Sequence, residues 1–329
     1  MQDNNTPNTR FPVIEACPDK APVWLLLDSR HFGGIESHIL ALASALAGQH
    51  IKVEVVFLAD YGGHVLKSRL AQAKIAFSCL NSPWCALLYR AVQEKPQLIH
   101  THGYKAGLLG RLAGLLTRLP VISSFHAGEK LSGKLACYHF LDRISAGMCR
   151  GIIAVSEPIK STLPSKTRLI HNFVPLPPLS QQPGHQLAFV GRLSHEKGPD
   201  TFIRLARHFP GHRFHIYGSG PMEDQLKAQA TANVIFHGEA ENMDAFWPKV
   251  GLLIMPSRFE GLPMAALEAM SHGAVVLAYR VGSLDKLITA DNGFLVPARD
   301  FSGLNSALSA YLRSGNARRK RMSKQARKT

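Results

Sequence analysis

The sequence predicts an α/β protein made of two Rossmann-like, doubly wound domains that face one another across a cleft. Three observations predict it. The 329 residues exceed the roughly 250–300 at which a single core stops growing. Short β-branched or Leu-rich runs alternate with amphipathic helical stretches along the chain, the pattern of βαβ units in parallel sheets. A Pro-rich segment, residues 175–186, divides that alternation into two series and reads as an interdomain linker.

In the first series, strands are expected at Val23–Leu27, Ile51–Leu58, Ile75–Leu80, Gln97–Thr101, Pro120–Phe125, Gly151–Val155 and Thr167–His171. Helical periods such as Glu36–Ala47 and Gly107–Thr117 lie between them. In the second, strands are expected at Leu187–Val190, Arg213–Tyr217, Val234–His237, Gly251–Met255, Ala274–Ala278 and Gly293–Val296. Helices at Asp200–His208, Pro221–Ala230 and Pro263–Ser271 separate these. The expected domains are therefore 21–174 and 187–315, preceded by a flexible tail at 1–20 and followed by a basic tail at 316–329.

A composition of 46% hydrophobic and 19% charged residues is that of a soluble globular protein. No apolar stretch approaches the ~18–20 residues that span a bilayer, because Arg111 interrupts the run Ala106–Leu116 and Arg150 separates Met148 from Ile152. Residues 1–20 lack the apolar core of a secretory signal. Five cysteines, an odd number with no Cys-x-x-Cys pair, argue against a disulfide framework or a zinc site and fit a reducing cytoplasm. The net charge of +15 implies an anionic partner: nucleic acid, an acidic membrane face or a phosphorylated substrate. Charge alone leaves these open. Arg318, Arg319, Lys320, Arg321, Lys324 and Arg327 lie in a stretch without acids, which reads equally as a solvated helix face.

In open α/β sheets, ligands bind beyond the carboxyl ends of the strands, where helix N-termini present N–H groups. The first strand runs into Gly33 and Gly34 just before a helix, and paired glycines let backbone amides approach a phosphate. The first strand of the second series is followed by Arg192 and Lys197, two cations that would hold a diphosphate and neutralise charge on a leaving phosphate. Most such residues are plain surface charges, and the strand-end position favours a site. Glu260 precedes a helix that carries Glu268 among apolar neighbours, where a carboxylate needs a partner such as ligand hydroxyls. His102 and His126 follow strand ends and are cleft candidates through imidazole's versatility. No two aspartates stand two positions apart, so the Asp-x-Asp metal clamp is missing and metal-free chemistry is expected, with no cofactor.

These residues resemble the retaining glycosyltransferases of family 4, which share the two-Rossmann GT-B fold. The segments occur in family order from Val23 to Ser314: Gly33-Gly34-Ile35-Glu36, Thr101-His102-Gly103, Ile153-Ala154-Val155-Ser156, Asn172-Phe173-Val174-Pro175, Val190-Gly191-Arg192-Leu193 with Lys197-Gly198, Tyr217-Gly218-Ser219-Gly220-Pro221, Glu260-Gly261-Leu262-Pro263 through Glu268-Ala269-Met270, and Asn292-Gly293-Phe294-Leu295-Val296-Pro297. Each segment is weak and the ordered set is specific. The resemblance implies an acceptor-binding first domain and a nucleotide-sugar-binding second domain. Arg192 and Lys197 would bind the donor's pyrophosphate, and Glu268 the ribose hydroxyls. The loop of Glu260, with Gly261, Leu262, Pro263 and Met264 leading into its helix, would hold the transferred sugar and the phosphates. Phe236 and His237 in the segment Val234–Gly238 would flank the base, beside Gly218 and Gly220, while Gly34 would approach from the other domain. His126 resembles the family histidine that reaches the sugar. The anomeric configuration would be retained by front-face attack without a side-chain base. Family members continue past Arg318–Arg327 into an aromatic-containing helix that crosses back onto the first domain, and residues 1–329 contain none.

UDP or GDP is the expected nucleotide of the donor, and the expected acceptor is a glycan or lipid-linked glycan of cell-envelope polysaccharide or lipopolysaccharide synthesis. Lys130, Lys134, Arg143 and Arg150 around the apolar stretch Leu135–Met148, with the basic tail, would dock on an anionic membrane. That places the enzyme in the cytoplasm, peripheral on the inner face of the membrane. A nucleic-acid-binding protein is the competing class, but no basic motif is interleaved with aromatics. A nicotinamide-dependent dehydrogenase needs Gly-x-Gly-x-x-Gly after the first strand, which neither Gly33-Gly34 nor Gly218-Ser219-Gly220 supplies.

Overall fold

The computed structural model describes residues 21–126, 133–178, 184–240 and 243–329. The expected tail 1–20, Lys130 and Cys17 lie outside the described residues. The chain divides into two compact units, Met1–Asn172 and Phe173–Thr329.

Unit 1 runs β1 (Val23–Leu27), α1 (Gly34–Gly48), β2 (Val53–Phe57), α2 (Val65–Gln72), β3 (Ala76–Cys79), α3 (Pro83–Glu94), β4 (Leu98–His102), α4 (Tyr104–Thr117), β5 (Val121–Phe125), α5 (Gly133–Ser145), β6 (Gly151–Ala154), α6 (Glu157–Lys160) and β7 (Arg168–Leu169). The strands pair in parallel in the order β3-β2-β1-β4-β5-β6-β7. All five residues of β1, β4 and β5 are buried, as expected of parallel strands covered on both faces. Right-handed crossovers put α1 and α2 on one face and, after the chain reverses direction beyond β3, α3, α4 and α5 on the other. Accordingly α1 packs on α2, and α4 packs on both α3 and α5.

Unit 2 repeats the plan with β8 (Gln186–Val190), α7 (Pro199–Arg207), β9 (Phe214–Tyr217), α8 (Glu223–Gln229), β10 (Val234–Phe236), β11 (Val250–Met255), α9 (Met264–Ser271), β12 (Val275–Tyr279), α10 (Leu284–Leu287), β13 (Gly293–Val296), α11 (Phe301–Arg313) and α12 (Asn316–Lys328). Its order is β10-β9-β8-β11-β12-β13, again all parallel. Strand order reverses at β1/β4 in unit 1 and at β8/β11 in unit 2, and at such switch points the loops diverge and leave room for a ligand.

Two expectations about segments are corrected. Residues 316–329 are not a tail: α12 buries Met322, Ser323 and Ala326 against α9 and β12, and Arg327 donates to the Ser271 carbonyl at 3.0 Å and to that of Pro177. The basic residues hide a buried stripe (Met322, Ala326) at helical spacing, which anchors the helix despite its charge. The linker also ends earlier than residue 186, because the His185 amide already donates to Lys249 at 2.9 Å and Gln186 opens β8. Residues 179–183 lie outside the described residues. Cys79, Cys85, Cys137 and Cys149 are free thiols. Among the described residues no helix is long and apolar enough to cross a membrane.

Candidate active site

In unit 2, the loops that follow β8 and β11 are clasped together. The Arg258 amide donates to the Glu196 carbonyl at 2.8 Å, and its guanidinium donates to the His195 carbonyl at 2.6 Å and to both carboxylate oxygens of Asp200 at 2.9 and 2.6 Å. Gly198 closes the contact: at φ +69 it lies so near the Pro256 carbonyl that a Cβ would stand 2.2 Å from the oxygen. Only glycine combines that left-handed backbone with that approach. The clasp brings Lys197 onto Glu260, with Nζ 2.9 and 2.8 Å from the two carboxylate oxygens. The Glu260 side chain is 4% exposed and that of Lys197 29%, so a nearly buried carboxylate is satisfied by an ammonium that still reaches solvent. Sequence reasoning treated these two residues as separate contacts; the structure makes them one unit. Arg192, in the same loop, is exposed.

Beyond Glu260, the Gly261 carbonyl accepts from the Ser283 amide at 2.9 Å, and buried Leu262 and Pro263 lead into α9. Pro263 is the N-cap and makes no side-chain cap, so the positive end of the α9 dipole at Met264 opens onto this loop. Glu268 stands on the second turn of α9, half-buried. Gly218 presses against the β8 loop, where a Cβ would stand 2.0 Å from the Gly191 carbonyl oxygen, and Gly220 abuts Leu193. The Leu193 amide in turn donates to Ser219 at 2.8 Å. These two glycines therefore shape the loop that carries Arg192. Phe236 is half-buried at the end of β10, and the ring of His237 stacks on Tyr217 with centroids 4.3 Å apart and bonds His215 at 3.0 Å. Burial first, and then the Lys249 charge, lower the His237 pKa.

In unit 1, Gly33 is the N-cap of α1 and Gly34 its first residue. Glu36 in the first turn folds back among the loop groups; burial raises its pKa, against hydrogen bonds from Ser29 and from the Glu36 and Gly33 amides. Two residues on, His38 joins a group of imidazoles. The His102 Nδ1 and His126 Nε2 atoms are 3.0 Å apart, the His38 and His126 rings 4.9 Å, and the His100 and His102 rings 4.3 Å. His100 Nε2 bonds the Ser124 hydroxyl at 2.8 Å. Burial lowers the pKa of His38 to about 4 and that of His100 to about 3, with His38 adding to the latter. Burial likewise holds His102 and His126 well below the ordinary imidazole value. All four are thus neutral near pH 7 and offer hydrogen bonds rather than charge.

The sequence singled out His102 and His126 but not their companions. His100 was legible, since residues i and i+2 of a strand share a face; His38 comes from a helix far away in the chain and was not. Ring nitrogens of His38, His102 and His126 lie within 4.8 Å of one another, the group among the described residues that could hold a metal ion.

Two family descriptions match nearly the whole chain: Glycosyltransferase Family 4 over residues 32–176 and Glycosyl transferases group 1 over residues 178–329. The chain is 25% identical over 263 residues to the Escherichia coli UDP-Gal:alpha-D-GlcNAc-diphosphoundecaprenol alpha-1,3-galactosyltransferase, covering 67% of this chain and 68% of that protein. It is 28% identical over 232 residues to the lipopolysaccharide core biosynthesis mannosyltransferase LpcC of Rhizobium leguminosarum bv. viciae, covering 62% of this chain and 64% of that protein. The matches thus span about two thirds of these curated relatives. In fold, it superposes on Anabaena Alr3699/HepE, solved in complex with UDP and glucose, with a TM-score of 0.80 at 18% identity over 94% of both chains. With both halves matched in order and the same two-Rossmann architecture, the chain belongs to the family 4 glycosyltransferases of the GT-B fold.

Proposed function

We propose that this glycosyltransferase moves a sugar from a UDP- or GDP-sugar, with retention of configuration and without a metal ion, onto a glycan or lipid-linked acceptor of cell-envelope polysaccharide or lipopolysaccharide synthesis. The observation that carries the donor half is the Lys197–Glu260 pair, held by the clasped loops beside the open N-terminus of α9. A leaving diphosphate needs positive potential that is already in place before the bond breaks. Lys197, Arg192 and the α9 amides supply it. Because Glu260 neutralises part of the Lys197 charge, its role is to aim the ammonium and to meet the sugar hydroxyls, while the exposed Arg192 adds a second cation. Glu268 binds the ribose.

Unit 1 takes the acceptor. The low pKa values of its histidines make them weak bases at neutral pH, which favours proton transfer to the departing phosphate oxygen over a side-chain base. His126 and His102 then serve as hydrogen-bonding groups. The acceptor class is supported by the two relatives, whose names place them on diphosphoundecaprenol-linked sugars and on lipopolysaccharide core. A thermal-shift screen against UDP-, GDP- and ADP-sugars tests the donor, because a bound ligand raises stability by RT ln(1 + [L]/Kd). A shift with a UDP- or GDP-sugar is expected, and no shift with any of them would overturn the reading. Retention is read from the anomeric proton coupling of the product in NMR; an inverted product would overturn it.

A further inference from the structure

The outward faces of α3, α4 and α5 are apolar, the reverse of what the solvent side of a surface helix carries. On α5, Cys137, Phe140, Leu141 and Ile144 follow the i, i+3, i+4, i+7 rule on the exposed side, with Phe140 63% and Ile144 64% exposed. On α4, Leu112, Leu115 and Leu116 form the matching exposed stripe, and on α3 Tyr89 and Val92 do. The three helices pack side by side, so the stripes adjoin.

A buried ion pair locks this orientation. Arg111 of α4 bonds Asp142 of α5, with side chains 1% and 8% exposed, and Arg111 also donates to the Ser123 hydroxyl at 2.9 Å. Asp142 and Ile144 lie two residues apart, about 200° around the helix, so burying Asp142 turns Ile144 outward. Rotating α5 to hide its apolar side would break that buried pair and strand its charges. The apolar face is thus a built surface rather than a helix free to turn inward.

Charge identifies what covers it. Arg118, Arg143 and Arg150 stand at its edges at least partly exposed. Among the described residues of the three helices the one exposed carboxylate is Glu94, paired with Arg90 at 2.6 Å. An apolar centre with a cationic rim fits an anionic lipid surface, where basic groups meet headgroups and apolar side chains enter the acyl boundary. We infer that the α3–α4–α5 face of unit 1 is the surface by which the enzyme docks on an anionic bilayer. This deepens the lipid-linked acceptor reading by giving the enzyme a place on the membrane, yet it is tested without any sugar, so either can fail alone.

The test is flotation of the full chain with vesicles of equal parts phosphatidylcholine and phosphatidylglycerol, against phosphatidylcholine alone. The wild type is expected to float with the anionic vesicles. Leu115→Ser/Phe140→Ser/Ile144→Ser is expected to lower the bound fraction on the order of tenfold, and Arg143→Glu/Arg150→Glu to do so most at low salt. Unchanged thermal shifts with donor would show that these exposed substitutions leave the fold intact. Failure of the wild type to float, or equal flotation of the triple variant, would overturn the inference. So would a wild-type dimer in light scattering that the triple variant splits and that does not float, because the face would then belong to a second copy.

Discussion

Acidification should weaken unit 1 through its buried histidines. His38 and His100 are 7% and 9% exposed, and their pKa values fall from 6.5 to about 4 and about 3 in the folded state. In the unfolded chain both return to about 6.5, so below that pH the unfolded state binds protons that the folded state refuses. Stability therefore rises with pH across this window and is lost as pH falls below 6.5 towards 4, at about 1.4 kcal/mol per pH unit for each group. Between pH 7 and 5 each histidine costs about 2 kcal/mol and the two together about 4 kcal/mol, a large part of the 5–15 kcal/mol typical of a domain. The assay is urea unfolding at several pH values, followed by Trp24 and Trp84 fluorescence in a Trp247→Phe background so that unit 1 alone reports. His100→Gln keeps a polar atom for Ser124 but cannot be protonated, and, because burial also holds His102 and His126 low, it should remove one histidine's share of the slope, about 1.4 kcal/mol per pH unit. If the pH dependence of the His100→Gln midpoint ran parallel to that of the wild type, the reasoning would be refuted.

Gly198→Ala should cost about 2 kcal/mol or more and weaken nucleotide-sugar affinity together, because the left-handed backbone and the Pro256 contact tolerate no Cβ; melting and titration calorimetry read both, and an unchanged Tm would contradict the clasp. Lys197→Met strands the nearly buried Glu260 carboxylate, at about 3 kcal/mol, and adding Glu260→Gln should recover much of that loss; a second variant that recovers nothing would show the pair is not coupled. Glu268→Ala should weaken donor binding roughly tenfold through a lost charge-assisted hydrogen bond, and an unchanged Kd would remove Glu268 from the site. EDTA should leave turnover unchanged, whereas a loss restored by Mg²⁺ would end the metal-free proposal.

The thirteen strands among the described residues lie where period and β-branching placed them, with ends shifted by at most two residues, since hydrophobic runs report burial and not the last hydrogen bond. The largest departure was α12, where charge count concealed Met322 and Ala326 at i, i+4 spacing. In the candidate site, the positions of Arg192, Lys197, Glu260 and Glu268 were legible because strand-end loops of parallel sheets are where ligands are expected to bind. Their relations were not.

By itself the sequence determined two parallel α/β units and which loops carry the polar groups, both of which follow from local propensity and from residue types at strand ends, while its ordered motif segments carried the resemblance to the family. Only the tertiary structure decided that Lys197 and Glu260, 63 positions apart, form one pair. It also decided that His38, His100, His102 and His126 share one cluster, and that α5 turns its apolar side outward around the Arg111–Asp142 pair. Such contacts are set by how strands order themselves in a sheet and how helices seat upon it, and periodicity along one chain carries no record of either.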